Sequence, residues 1–341
     1  MSRWQKFLGL AVIAVILIIV FAALRVQAYL TSPVTVSDGG TGFVILPGTS
    51  FREVARQLEQ AGITDNAKLL RWYARWTDKA GSVHAGEYLI EAGTTPIRLL
   101  QQFTSGDVQL YSFTIIEGWN HRELLGALRS HSQVVAELTD EDWPAFLDEL
   151  GADTRIPEGL FLPETYRFPN GSSDKALLTQ AYKLMQSVLQ EEWGGRDQSS
   201  PVATPYEALV LASIVEKETA RADEREKIAG VFARRLVKRM RLQTDPTVIY
   251  GIGPDFNGNL TRNDLRTDTA YNTYTRHGLP PTPIAMPGRA AIHAALHPAS
   301  GDELFFVATG LGDGSHKFSK TKEEHDMAVR EYLRRLRENR R

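Results

Sequence analysis

The chain has 341 residues, of which 43% are hydrophobic and 23% charged, with a net charge of −2 and no cysteine. That length suggests two domains, and the composition is that of a folded protein, not a disordered chain, a collagen-like repeat or a multi-span membrane protein. The near-zero charge gives no electrostatic reason to expect nucleic acid. The missing cysteines exclude a disulfide scaffold, a cysteine nucleophile and thiolate-ligated metal.

Phe7 to Leu24 is an unbroken uncharged run rich in Leu, Ile, Val and Ala. As a helix it spans ~27 Å, close to the hydrocarbon thickness of a bilayer. Arg3 and Lys6 precede it and Trp4 suits the interface, so the spacing predicts a single-pass anchor with its N-terminus in the cytoplasm and all later residues outside. The alternative is a cleaved signal peptide, with Val26-Gln27-Ala28 as a loose cleavage site. The run is longer than the ~7–15 residues of a signal's apolar core.

Three segments beyond the anchor align on one another. They open with Phe43-Val-Ile-Leu-Pro-Gly-Thr-Ser, Tyr88-Leu-Ile-Glu-Ala-Gly-Thr-Thr and Phe113-Thr-Ile-Ile-Glu-Gly-Trp-Asn. Each has an aromatic residue with Ile two positions on, the alternation of a strand. Gly48, Gly93 and Gly118 suit tight turns, and Ser50, Thr95 and Asn120 can cap the helices that follow. The first unit resembles a LysM module, a small glycan-binding fold, in its strand, Pro-Gly-Thr, helix opening. For the other two copies a ligand-free packing unit is the expectation.

Residues 131–157 are polar with a helical pattern. Glu158 to Tyr166, flanked by Pro157 and containing Pro163, is extended or turn-like and carries two carboxylates and two aromatics. It suits either a surface loop or the wall of a sugar groove. An amphipathic helix follows over 174–193, then a loop to Pro201.

Thr204-Pro-Tyr-Glu207 is a capping box with proline at the first helical position. The helix runs through apolar residues 208–215 into Glu216-Lys-Glu-Thr219, so it is buried on most sides. Its two glutamates stand ~200° apart around the axis and cannot face one cleft. Glu218 continues the stripe of Ala208, Leu211 and Val215, whereas Glu216 follows Leu209, Ala212 and Ser213. A carboxyl at the end of a bulky apolar stripe is desolvated, its pKa rises, and it can donate a proton near neutrality. On this ground Glu218 is the better general acid. Pairing of both glutamates with Lys217, Arg221 or Arg225 at a helix end is the plainer alternative.

Four stretches are specific in combination. They are Ser213 to Thr219; Met240-Arg-Leu-Gln-Thr-Asp-Pro-Thr-Val-Ile-Tyr250; Tyr271-Asn-Thr-Tyr274 with Gly278 to Ile284 and Pro287-Gly288; and Leu304 to Ala308 leading to His316-Lys-Phe318 and Glu324-His325. In this order they resemble the MltG (YceG-like) family of endolytic murein transglycosylases over nearly the whole chain. The resemblance implies cleavage of peptidoglycan between MurNAc and GlcNAc, leaving 1,6-anhydro-MurNAc ends and setting glycan strand length. It places the catalytic glutamate in the Glu-Lys-Glu-Thr motif. The second glutamate, Glu218, matches the Glu-Ser/Thr signature of lysozyme-like transglycosylases. Gln243, Thr244, Asp245, Tyr250, Asn272 and Tyr274 are read as groove residues that orient the sugar, Asp245 with its side chain free in an extended or turn position. Gly278 to Pro283 is read as a rigid loop shaping the cleft.

The expected architecture is α+β. A cytoplasmic N-terminus and transmembrane helix (1–30) precede a LysM-like membrane-proximal region (31–130) and a larger mixed α/β catalytic domain (131–341). Expected partners are peptidoglycan strands, the cytoplasmic membrane and, by family resemblance, peptidoglycan synthases. No cofactor, metal or nucleic acid is expected. A non-catalytic glycan-binding scaffold and a water-using muramidase assisted by Asp245 are the alternatives. His293 and His297 have the spacing of a zinc helix, but Ala294 stands where a zincin has glutamate. Gly310, Gly312 and Gly314 suit a hairpin loop, and the arginines Arg334, Arg335, Arg337, Arg340 and Arg341 a solvated helix end.

Overall fold

A computed structural model describes residues 3–338. Arg340 and Arg341 of the basic tail, and the side chains of Arg3 and Lys6, lie outside what is described. The chain divides into two compact units, one of residues 1–111 with 167–171, the other of 112–166 with 172–341. The division falls between Tyr111 and Ser112.

In the first unit, helix α1 (Arg3–Thr31) continues well past the apolar run. Its stretch Gly9–Thr31 is long and apolar enough to cross a membrane and is unburied by protein. Then come β1 (Thr41–Ile45), α2 (Phe51–Gln60), α3 (Ala67–Trp76), β2 (Gly86–Ile90) and α4 (Pro96–Ser105). The two strands pair antiparallel with Phe43 opposite Tyr88, the aligned aromatics of the first two repeats. Those rings, with Phe103, Leu58, Leu70 and Leu99, form the core of the unit. Gly48 and Gly93 adopt φ of 77° and 85°, and Ser50 and Thr95 cap α2 and α4 by accepting from Glu53 and Arg98 N–H groups. Helix α3 has no counterpart in the repeat pattern. It ends in Trp72 and Trp76, which stack at 5.7 Å and 6° while 51% and 71% exposed.

The third repeat enters the second unit. It comprises β3 (Leu110–Thr114), a turn at Gly118 (φ 80°) and α5 (His121–Ser130), which Asn120 and Glu123 close with a capping box. The helical pattern expected over 131–157 yields only β4 (Val134–Val135) and α6 (Trp143–Glu149). Asp174 explains this: its buried carboxylate accepts from the backbone N–H groups of Glu137 and Leu138, which fixes that segment as a loop. β5 (Thr165–Pro169) pairs with β3, and β6 (Ser172–Ser173) with β4. Residues 157–163 are buried, so that part is not a surface loop, while Glu164 and Thr165 are exposed.

Helices α7 (Asp174–Gly194), α8 (Pro205–Glu218), α9 (Arg225–Val237), α10 (Asp245–Ile252) and α11 (Arg289–Leu296) follow. α8 is the central one: α7, α9, α10 and α11 all pack on it, and each of residues 208–215 is buried. Thr204 caps it, while Glu207 reaches back to the N–H of Ala203. The antiparallel hairpin β7 (Phe305–Ala308) and β8 (His316–Ser319) turns through Gly310, Gly312 and Gly314, all at positive φ. The last element, α12 (Lys322–Glu338), packs on the hairpin. The architecture is therefore mixed helix and strand, with one long apolar helix at the N-terminus.

Candidate active site

The end of α8 sends its two glutamates to different surroundings, as the helix period requires. Glu216 accepts from the N–H of Gly288 at 2.9 Å and lies 3.7 Å from Arg225. A Cβ at Gly288 would fall 2.0 Å from Glu117 Oε1, so a larger residue there would push the half-exposed Glu117 side chain aside. Burial raises the Glu216 pKa, and the Gly288 N–H and Arg225 oppose the rise. This carboxylate joins α8 to the start of α11.

Glu218 stands at the last helical position, before Thr219 leaves in an extended conformation. Its Oε1 accepts from the Thr244 hydroxyl. Burial of the carboxyl pushes its pKa up. The Thr244 bond opposes that, Asp245 adds to it, and His316 and Arg235 act against it. The net result is a carboxyl that keeps its proton above the usual carboxylate range.

The segment bearing Thr244 is held by threonines. Thr244 N–H donates to Thr273 Oγ1 (3.1 Å), Thr247 Oγ1 donates to the Thr244 carbonyl (2.8 Å), and the hydroxyls of Thr247 and Thr273 lie 2.9 Å apart. Gln243, exposed at φ 53°, gives its N–H to the Thr273 carbonyl. A non-glycine residue in that region is strained and is kept there by its surroundings.

Asp245 is not in a free extended position. It opens α10, and its Oδ1 accepts from the Tyr274 hydroxyl at 2.6 Å. Burial and that bond raise the Tyr274 pKa. Glu218, Thr244, Asp245 and Tyr274 are thus brought together.

Two other expected groove residues are engaged elsewhere. Asn272 is fully buried; its amide donates to the carbonyls of Asp264, Leu265 and Thr267, and its Oδ1 accepts from Tyr274 N–H. Its amide protons are spent on the loop's own carbonyls and the side chain is fully buried, so it shapes the loop. Tyr250 donates to Glu158 at 2.9 Å. Glu158 is fully buried and also accepts from the backbone N–H of His121 and bonds His121 Nδ1 at 2.7 Å.

Sequence reasoning missed the cationic side of Glu218. Arg235 is 7% exposed and its guanidinium donates to the carbonyls of Leu304 and Leu242, both at 2.6 Å. Burial lowers its pKa, and Tyr274 and Glu218 counter that. His316 is pinned through both its N–H (2.9 Å) and Nδ1 (2.7 Å) to Glu224, itself 5% exposed. The His316-Lys-Phe318 motif was a signal for the histidine. Nothing marked Arg235 among the other arginines.

A carboxyl whose pKa is raised at a helix end, with a second carboxylate and a buried arginine near it, can donate and recover a proton. The YceG-like family model matches residues 43–331. The chain belongs to the YceG-like family. A Bacillus subtilis (strain 168) protein named endolytic murein transglycosylase is 31% identical over 89% of this chain and 88% of its own length. One of the same name from Streptococcus pneumoniae is 27% identical, over 84% of this chain and 57% of that protein. The crystal structure of a putative yceG-like protein from Listeria monocytogenes aligns with a TM-score of 0.54 at 27% identity, covering 85% of this chain and 99% of that one.

Proposed function

We propose that this member of the YceG-like family is a lytic transglycosylase that cleaves peptidoglycan between MurNAc and GlcNAc, with Glu218 as its catalytic residue. The observation that carries the reading is the desolvated Glu218 carboxyl, held by Thr244 and facing Asp245. Protonated Glu218 donates to the glycosidic oxygen as the bond to the MurNAc anomeric carbon breaks, and positive charge develops on that carbon. The resulting carboxylate, stabilised by Arg235 and His316, takes the proton from the MurNAc 6-hydroxyl. That oxygen closes on the anomeric carbon and leaves a 1,6-anhydro end. An attached hydroxyl has a high effective molarity and outcompetes water, so one carboxylate serves as acid and then base. Thr244 orients Glu218, Asp245 with Tyr274 presents negative charge to the developing cation, and Gln243 reaches the sugar from its exposed position.

On the same reading, α1 holds the enzyme in the cytoplasmic membrane with both units outside the cytoplasm, where nascent strands and their synthases are within reach. Endolytic cleavage there sets strand length. The strand–helix–helix–strand order of β1, α2, α3 and β2 supports the LysM-like reading of the first unit, and the stacked pair Trp72 and Trp76 is a surface on which sugar rings can lie.

The presence of Asp245 beside Glu218 favours one alternative, a muramidase that uses water. The full-length protein in detergent, given uncrosslinked glycan strands, distinguishes the two by mass spectrometry. Ends lighter by one water, absent with Glu218→Gln, support the transglycosylase. Ends carrying an added water indicate the muramidase, and binding without cleavage a scaffold.

A further inference from the structure

The i, i+4 pair His293 and His297 lacks the glutamate a zincin would carry at position 294, yet the fold supplies a carboxylate from another helix. Glu192, near the end of α7, places Oε2 2.8 Å from His293 Nδ1. His297 follows α11, its N–H bonded to the His293 carbonyl at 2.8 Å, and its ring lies on that of His293 with centroids 4.3 Å apart. One donor atom from each of Glu192, His293 and His297 falls within 4.8 Å of the others. The side chain of Glu192 is only 12% exposed, whereas that of His293 is 47% exposed.

We infer that Glu192, His293 and His297 form a binding site for a divalent transition metal of the zinc class, which clamps α7 to α11. Two imidazoles and one carboxylate are a donor set that zinc accepts, with water as the fourth ligand. Nitrogen donors disfavour magnesium and calcium, which take oxygen. Zinc ligands at their usual bond lengths lie ~3.3 Å apart around a tetrahedral ion. The Glu192–His293 pair is already within that distance, and the three donor atoms together lie within 4.8 Å. Arg289 comes within 3.7 Å of Glu192, but its close pairing is with Glu191, so the carboxylate of Glu192 remains open toward the histidines. Both helices pack on α8, so an ion here would brace the helix that carries Glu218 without touching the site itself.

The test uses the untagged full-length protein in detergent, stripped with chelator and titrated with ZnCl2 by calorimetry, with CoCl2 as a spectroscopic probe. The expected result is one ion per chain, a saturable rise in Tm, and cobalt absorption bands of a low-symmetry nitrogen–oxygen site. His297→Ala and Glu192→Gln each weaken binding at least ten-fold, while the metal-free melting of at least one stays that of the wild type. The exposed His277 serves as control, and His277→Ala leaves binding unchanged. No saturable binding, or equal affinity in His297→Ala, Glu192→Gln and wild type, overturns the assignment.

Discussion

Thr244→Val tests the tuning of Glu218 most directly. The Thr244 hydroxyl donates to Glu218 Oε1 and favours the ionised form. A hydrogen bond to a charged group is worth about 1.5–3 kcal/mol, and one pKa unit corresponds to ~1.4 kcal/mol. Removing the donor therefore raises the Glu218 pKa further. Valine preserves the buried shape, and the Thr244 N–H and carbonyl keep their partners Thr273 and Thr247. Because the protonated form starts the reaction, activity falls as pH rises through the Glu218 pKa. The alkaline limb of kcat/KM for release of anhydro ends should move to higher pH, and Thr244→Ser should restore the wild-type limb. A limb that stays in place or moves down in a folded Thr244→Val protein would refute the argument.

Glu218→Gln should also change stability in a pH-dependent way. Burial raises the folded-state pKa of Glu218, so its favourable contribution is complete below the ordinary carboxylate range and is lost as pH rises through the raised value. The variant should then melt above the wild type at pH 8, with the difference shrinking at pH 4; a wild type more stable than the variant at pH 8 contradicts the burial argument. Asn272→Ala strands three backbone carbonyls and the Tyr274 N–H in a buried loop. It should cost about 3 kcal/mol in urea unfolding, and a raised KM with unchanged stability would return Asn272 to the sugar groove.

What could be read from the sequence was what neighbouring residues decide. Ser50, Thr95 and Asn120 cap helices, and Gly48, Gly93 and Gly118 take positive φ, because a turn and a cap are satisfied within a few residues. The separation of Glu216 from Glu218 followed from helix geometry alone. What failed depended on distant chain. The repeat gave no sign that its third copy joins a different unit from the first two, because a strand–helix motif does not name its packing partner. Asn272 and Tyr250 have side chains that suit sugar hydroxyls, but the same donors and acceptors suit backbone carbonyls and buried Glu158, and only the tertiary structure chooses between them. Arg235 is the sharpest case. An arginine near a helix end is ordinarily solvated, yet this one is buried, with Leu242 and Leu304 carbonyls around its guanidinium in place of a paired carboxylate. Carbonyl dipoles hold the cation without neutralising it, so its charge remains available to Glu218 when that residue gives up its proton. A direct salt bridge would have spent that charge in the resting state.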